Sequence, residues 1–316
     1  MPKEIKVVGC GISGLSTAIT LLEAGYSVEI ISEKLPEDTT SAVAAAIWLP
    51  YEVNPIEKAN RWSKESYFKY LELCDLPETG ISLVSLMVLV EKKEDAWWLD
   101  ALPQGEIREA REEELPAGFT LGFVLQVPLI ETPVFLQYLL HQFEKLGGVL
   151  TKLKIENLAK ITNKNTTVIN CTGLASRELV NDKLLYPIYG QIVKTEPSNE
   201  ILPIISEIPE GEKGELLAYI IPRKDCIVLG GTAIRGKEDL QPSESITRGI
   251  LDRCETILPA IGQLKIKSSV VGLRPGRSEI RLEQEGQIIH NYGHGGAGFT
   301  VCWGCAEEVK KLVQEA

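Results

Sequence analysis

Residues 5–33 constrain the fold more than any other stretch, because they read as a strand, a glycine turn, a helix and a second strand. The turn carries Gly9, Gly11 and Gly14 in the spacing G-x-G-x-x-G. In a Rossmann unit the first glycine permits the turn, the second lets a pyrophosphate approach the backbone, and the third lets the helix pack closely. Glu33 follows about 20 residues later, where a carboxylate binds an adenosine ribose hydroxyl. We therefore predict a dinucleotide-binding unit.

Glu33 also separates the candidate cofactors. A carboxylate at this position would repel the 2′-phosphate of NADP, which leaves FAD and NAD as alternatives. A glycine cluster in an unrelated α/β protein is the competing interpretation, but it does not explain the acid at the strand end.

Composition and charge exclude several classes of function. The chain has 316 residues, a length that predicts about two domains. Its formal net charge of −11 argues against nucleic acid or an anionic membrane as a partner. The first residues enter a strand at once, which leaves no room for a signal peptide, and no apolar run is long enough to span a membrane. We therefore expect a cytoplasmic protein.

The seven cysteines are scattered, so we expect free thiols in a reducing compartment. Cys302 and Cys305 form a C-x-x-C pair, which leaves a redox or metal site as an alternative. A four-ligand metal site needs further ligands, and the chain has three histidines and no second C-x-x-C. We predict no metal site.

The remaining chain predicts further elements of an α/β fold. Apolar periodicity and Pro133 indicate helices over residues 53–75 and 132–145. Short apolar runs over residues 81–130 and 187–269 are typical of antiparallel strands. The strand in residues 166–173 is expected to return to the dinucleotide-binding sheet. The cofactor domain is thus predicted to be built from separated pieces, with a β-rich domain inserted twice.

A second G-x-G-x-x-G spacing occurs at Gly293, Gly295 and Gly298. Only 18 residues follow it, which is too few for another βαβ unit. We interpret it as backbone N–H groups at the N-terminus of a closing helix, which suit an anion or an electron-rich ring edge.

The chain carries a series of motifs in order: VVGCGISGLSTA, TTSAVAAAIWLPY, VINCTG, LLYPIYGQIVK, AYIIP with VLGGT, VGLRPGRSEIRLE and HNYGHGGAGFTVCWGCA. The series resembles the FAD-dependent D-amino-acid oxidase family, which includes D-aspartate oxidase. The last two motifs are the most specific to it. The resemblance implies FAD as cofactor and oxidative deamination of D-amino acids to 2-oxo acids, with ammonia and hydrogen peroxide.

The implied fold class is α/β, with a Rossmann-like FAD-binding domain and an inserted, mainly antiparallel β-rich substrate domain. The FAD-binding domain would comprise residues 1–50, 133–186 and 270–316. The substrate domain would comprise residues 51–132 and 187–269.

The resemblance also implies a set of cofactor contacts. The glycine turn with Thr40 and Ser41 would hold the pyrophosphate, residues 45–47 would line the isoalloxazine, and residues 295–298 with Thr300 would meet its pyrimidine edge. The expected FAD contacts are Gly9, Gly11, Ile12, Ser13, Gly14, Glu33, Lys34, Thr40, Ser41, Ala45, Ala46, Ile47, Ile155, Cys171, Thr172, Gly173, Gly295, Gly296, Ala297, Gly298 and Thr300.

Three residues are implied at the substrate itself. Arg274, which opens R-P-G-R, would grip the substrate carboxylate, and Tyr219 would donate its hydroxyl to the same group. The backbone carbonyl of Gly296 would accept the substrate amine. Without the resemblance, an inter-strand salt bridge is the favoured interpretation of Arg274, and Tyr219 could be a core tyrosine.

Some positions depart from the family pattern. Glu215 and Ala297 stand where tyrosines are often found, and Leu49 replaces a frequent glutamine. These changes predict a more open pocket and leave the side-chain preference open. Arg235 and Arg277 are candidates for binding an acidic substrate side chain.

Other functions remain as alternatives at this point. They are a glycine- or sarcosine-type amine oxidase, a D-aspartate-preferring oxidase, an NAD-dependent dehydrogenase and a flavin-binding protein without activity. The expected partners are a small D-amino acid and O2, and a homodimer is left open.

Overall fold

A computed structural model describes residues 4–163, 165–210 and 215–315. In these ranges the strands are β1 (Glu4–Val8), β2 (Ser27–Ser32), β3 (Ile81–Leu89), β4 (Ile107–Glu109), β5 (Gly122–Ile130), β6 (Val149–Lys152), β7 (Thr166–Asn170), β8 (Tyr186–Thr195), β9 (Ile204–Glu210), β10 (Leu216–Pro222), β11 (Ile227–Thr232), β12 (Ile234–Arg235), β13 (Ile266–Gly276), β14 (Arg281–Glu285) and β15 (Ile288–Tyr292). The helices are α1 (Ile12–Glu23), α2 (Thr40–Val43), α3 (Ile56–Cys74), α4 (Thr132–Lys145), α5 (Ser176–Leu179), α6 (Glu244–Ile257) and α7 (Gly298–Glu315).

The first sheet is the predicted dinucleotide-binding sheet. Its order among the described residues is β14-β15-β7-β1-β2-β6. The pairs β1–β2, β1–β7, β15–β7 and β2–β6 are parallel, and β14 is an antiparallel edge strand. Ile5, Val7 and Ile30 are buried because helices cover the parallel sheet. The returning strand predicted in residues 166–173 is confirmed as β7.

The second sheet is mainly antiparallel, as predicted. In the described part of the chain its order is β12-β8-β11-β10-β9-β3-β5-β4, with β13 also paired to β8. The β3–β9 pair is parallel. Strand β8 is paired to β13 along its length, and β12 contacts β8 at Tyr189 and Ile188. This arrangement places Arg235 of β12 and Arg274 of β13 opposite the same residue, Ile188.

The helices predicted from periodicity are present. The stretch predicted as residues 53–75 forms α3, and residues 132–145 form α4. Trp62, Tyr67 and Tyr70 of α3 are fully buried, because this face packs against α7 and the adjoining strands. The α/β fold class is therefore confirmed.

One strand crosses a proposed domain bound. Strand β13 begins at Ile266 and ends at Gly276, so it crosses position 270, and all of its pairing is with β8 of the second sheet. The division into a cofactor domain and a substrate domain stays a prediction.

Within the described residues, no helix is both long enough and apolar enough to cross a membrane.

Candidate functional site

A cavity of about 990 Å³ is lined by residues from both sheets. It extends from the carboxyl ends of β1, β2 and β7 to β8, β9, β10 and β13 of the second sheet. Ligands of α/β proteins bind at the carboxyl ends of parallel strands. Most of the predicted cofactor contacts line this cavity: Gly9, Gly11, Ile12, Ser13, Glu33, Lys34, Thr40, Ser41, Ala45, Ala46, Ile47, Ile155, Cys171, Thr172, Gly173, Gly295, Gly296, Gly298 and Thr300.

The glycine turn has the close packing that its spacing predicts. Gly9 has φ +108°, and a Cβ there would lie 2.5 Å from the carbonyl oxygen of Cys171. A Cβ on Gly14 would lie 2.0 Å from the carbonyl oxygen of Gly9, so α1 rests directly on the turn. Gly14 therefore shapes the turn but does not itself line the cavity.

The N-terminus of α1 faces the cavity beside a hydroxyl group. Gly11 is the N-cap residue and offers no side chain, and the N–H of Ile12 donates to Ser41 Oγ at 3.0 Å. Helix N-terminal N–H groups carry partial positive charge and bind phosphates. Glu33 and Lys34 lie at the end of β2, where the cavity also reaches Ile155. The helix N–H groups and the Ser41 hydroxyl therefore suit the pyrophosphate of a dinucleotide, and the Glu33 carboxylate suits an adenosine ribose.

Backbone and small side chains form the middle of the cavity. Residues 44–47 line it, and Ile47 forms a bridge with Leu129. Thr300 Oγ1 donates to the Leu49 carbonyl at 2.9 Å and accepts from the Leu49 N–H at 3.3 Å. This exchange fixes the segment before Leu49 to the start of α7.

Arg274 and Tyr219 are brought together at the second sheet. Arg274 Nη1 donates to the carbonyl oxygen of Thr232 at 2.8 Å, which orients the guanidinium group. Both side chains are partly exposed, because they face the cavity. Burial raises the pKa of Tyr219, and the nearby Arg274 guanidinium acts in the opposite direction. The phenol is therefore a neutral donor beside a fixed cation.

Glycines make room for these two side chains. A Cβ on Gly190 would lie 2.3 Å from Arg274 Nη1. A Cβ on Gly230 would lie 1.8 Å from Cζ of the Tyr219 ring. Real Cβ contacts of this length do not occur, so only glycine allows Arg274 and Tyr219 to lie flat on the strands.

The N-terminus of α7 closes the same region. Gly295 and Gly296 line the cavity, and a Cβ on Gly296 would lie 3.0 Å from Tyr51 and 3.8 Å from Arg274 Cδ. The third substrate residue predicted from sequence therefore lies beside the first. Burial also raises the pKa of Tyr51, with the Glu52 charge adding to the effect.

Several predicted site residues lie elsewhere. The Ala297 side chain is fully buried in a cluster with Trp62 and Val301, and it does not line the cavity. Glu215 does not line it either; its carbonyl oxygen accepts from the Ala233 N–H at 2.8 Å.

The two arginines proposed to bind an acidic side chain are also outside the cavity. Arg235 is exposed and lies 3.7 Å from Glu52. Arg277 donates to Asp182 at 3.0 Å and to the Glu279 carbonyl oxygen. Arg277 differs from Arg274 because it follows the end of β13, whereas Arg274 lies within the strand. Leu49 is the one side-chain candidate that lines the cavity.

The C-x-x-C pair lies inside helix α7. All seven cysteines are free thiols, and Cys302 and Cys305 are fully buried. Burial raises the pKa of Cys302 to about 12 and that of Cys305 well above its usual value. Among the described residues, no group of three or more His, Cys, Asp or Glu could hold a metal ion. Both thiols lie in the packed interior and neither lines the cavity.

We expect native protein to react with a thiol reagent at Cys74 before any other cysteine, because Cys74 alone is partly exposed and only an accessible thiolate reacts. Cys302 and Cys305 should react after unfolding. Mass spectrometry of alkylated peptides measures the order, and Cys74→Ser should remove the native reaction. Rapid modification of Cys305 in folded protein would contradict this assignment.

Comparison with known proteins agrees with this geometry. The family model described as FAD dependent oxidoreductase, DAO, matches residues 4–312. The chain is 39% identical to a D-amino-acid oxidase of Rubrobacter xylanophilus, over 98% of this chain and 95% of that protein. It is 37% identical to a D-amino-acid oxidase of Dictyostelium discoideum, over 99% and 92%.

The chain belongs to the family of FAD-dependent oxidoreductases named DAO. The fold of this oxidoreductase is also that of a glycine oxidase from Bacillus cereus, with TM-score 0.80 and 19% identity over 99% of this chain and 95% of that one. An L-proline dehydrogenase from P. horikoshii gives TM-score 0.81 and 17% identity, over 100% and 94%.

The residues present in this oxidoreductase fit FAD. The glycine turn, which has no room for a Cβ at Gly9 or Gly14, lies at the N-terminus of α1, and Glu33 lines the same cavity just after β2. The cavity continues past residues 44–47 to the α7 N-terminus, which suits the flavin ring.

Sequence reasoning missed several residues of this site. Tyr51, Gly190 and Gly230 all occur in the quoted motifs, but only the contacts of Arg274, Tyr219 and Gly296 reveal their roles. Glu207 also lines the cavity, and no motif or spacing pointed to it.

Proposed function

We propose that this chain is a D-amino-acid oxidase: it uses FAD and O2 to convert D-amino acids to 2-oxo acids, ammonia and hydrogen peroxide. The observation that carries the proposal is the fixed Arg274 guanidinium beside the Tyr219 phenol and Gly296, in a cavity that also contains the FAD-binding turn. The identity to named D-amino-acid oxidases over nearly the full chain supports the same reaction.

The residues at the second sheet bind and orient the substrate. A guanidinium group held by the Thr232 carbonyl oxygen presents its remaining N–H groups to a carboxylate. Tyr219 is neutral and donates its O–H to the same carboxylate. The Gly296 carbonyl oxygen accepts from the substrate amine, so carboxylate and amine together fix the direction of the Cα–H bond.

Bound FAD supplies the two-electron acceptor, and O2 accepts those electrons to give hydrogen peroxide. The chain supplies positioning and electrostatics through Arg274, Tyr219 and backbone groups. The N-terminus of α7 adds partial positive charge at the flavin end of the cavity. Water then hydrolyses the imino acid product to the 2-oxo acid and ammonia.

Purified protein is expected to be yellow, with an absorption band at roughly 450 nm from bound flavin. It should release hydrogen peroxide with D-amino acids and not with their L-enantiomers. A colourless protein that reduces NAD would overturn the proposal, and faster turnover of glycine than of D-alanine would favour a glycine-type oxidase. The cytoplasmic location and the homodimer stay predictions from sequence.

A further inference from the structure

Glu207 lies on the cavity face of the second sheet. Ile205 pairs with Tyr219 across the antiparallel β9–β10 ladder. Directly opposite residues of such a pair project to the same face, and so do residues two apart on one strand. A register shift between Leu216 and Ala218 interrupts this alternation beyond Ser206, and Glu207, Ile205 and Tyr219 all line the cavity.

Tyr51 packs beside the substrate-binding groups, and its hydroxyl is affected by the Glu207 charge. The ring of Tyr51 packs against Gly296, and the charges that act on its hydroxyl include those of Arg274 and Glu207. Glu207 and Arg274 both line the cavity, and the charges of both act on the Tyr51 hydroxyl.

The wall that the second sheet gives to the cavity suits a long apolar stem. The cavity face of the sheet is largely aliphatic, with Ile192, Ile205, Leu217 and Ile221. The Glu207 carboxylate accepts from Trp98 Nε1 at 2.6 Å, and Trp98 is fully buried. The indole fixes the carboxylate without neutralising it, so one oxygen remains for another donor.

We propose that Glu207 is a specificity-determining residue that binds the cationic end of a basic D-amino acid side chain. The inference rests on the proposed function. Aliphatic walls ending in a carboxylate match a methylene stem that ends in an ammonium or guanidinium group. The arginines first considered for an acidic side chain do not line the cavity. Arg235 pairs with Glu52, and Arg277 pairs with Asp182, so neither offers its charge to an acidic substrate side chain there.

The ionisation of Glu207 predicts a pH dependence of the preference for basic substrates. Burial raises the pKa of Glu207 to about 7; Asp95 adds to the shift, and the Trp98 hydrogen bond opposes it. Tyr51, whose hydroxyl the Glu207 charge also affects, stays neutral because its pKa is raised. Glu207 therefore gains its negative charge as the pH rises through 7, and attraction to a cation rises with it.

The test compares D-arginine with D-methionine, a neutral substrate with a long side chain, by hydrogen peroxide release. In Glu207→Gln we expect kcat/KM for D-arginine to fall about 30-fold, while that for D-methionine stays within about twofold. Glutamine retains the acceptor for Trp98 and removes only the charge. Glu210→Gln is the matched control, because Glu210 lies on the same strand but does not line the cavity.

The wild-type enzyme provides a measurement that needs no variant. The ratio of kcat/KM for D-arginine to that for D-methionine should rise with pH through about 7. An equal loss for both substrates in Glu207→Gln, or a wild-type ratio that does not change with pH, would overturn the inference. In both cases D-methionine oxidation by the wild type would leave the proposed function intact, whereas no turnover of any D-amino acid would refute that function.

Discussion

Arg274→Leu is expected to lower kcat/KM for D-amino acids about a thousandfold while FAD stays bound, since losing one partner of a buried charge pair costs about 4 kcal/mol. Leucine offers no donor to the substrate carboxylate, which would then be desolvated without a partner. The flavin should remain because the glycine turn belongs to the first sheet, whereas Arg274 is held by the Thr232 carbonyl oxygen in the second sheet. Steady-state peroxide release and the flavin absorption spectrum measure the two effects.

Arg235→Leu is the matched control for this variant. Arg235 stands opposite Ile188 from the other side of strand β8, is exposed and does not line the cavity. Its kcat/KM should stay within about twofold of wild type. Arg274→Lys should recover only part of the lost activity, because an ammonium group lacks the bidentate fork. A wild-type kcat/KM in Arg274→Leu would show that the carboxylate binds elsewhere.

Gly14→Ala is expected to yield protein with little bound FAD and a Tm lower by roughly 5 °C. The added Cβ would lie 2.0 Å from the Gly9 carbonyl oxygen and 2.9 Å from the Gly9 carbonyl carbon. Both atoms belong to the backbone, so no rotamer change relieves the clash and α1 must move away from the turn. The pyrophosphate would then lose the helix N-terminus that binds it.

Gly249→Ala controls for the effect of adding a methyl group. A Cβ at Gly249 in helix α6 would meet Arg253 Nη1 at 3.3 Å, the end of a flexible side chain. We expect unchanged FAD content and an equal or slightly higher Tm, because alanine favours the helix. The ratio of flavin to protein absorbance and a thermal melt distinguish the two variants. Full FAD occupancy in Gly14→Ala would contradict the packing described for the turn.

Local sequence patterns were sufficient for the Rossmann unit and for most helices. The β1-α1-β2 unit, the start of α4 and the helix at the end of the chain are fixed by glycine spacing, apolar periodicity and Pro133. These signals involve residues close in the chain, so they can be read without knowing the tertiary fold.

The substrate end of the site depended on longer-range pairing. Arg274 and Arg277 are both arginines of the R-P-G-R motif. Arg274 lies over Gly190 in the cavity, whereas Arg277 binds Asp182. The register of β13 on β8 makes that difference, because it decides which side chain faces the sheet surface and which follows the strand end.

The sequence by itself determined that the chain binds a dinucleotide and that its closing glycines precede a helix, because both follow from short-range spacing. Only the tertiary structure placed Glu207 and Tyr219 in one cavity and Gly230 under the tyrosine ring. Those contacts join separate strands, and a strand sequence alone does not state its partner or its register. The cofactor end was therefore predictable from the chain, whereas the side-chain pocket required the folded sheet.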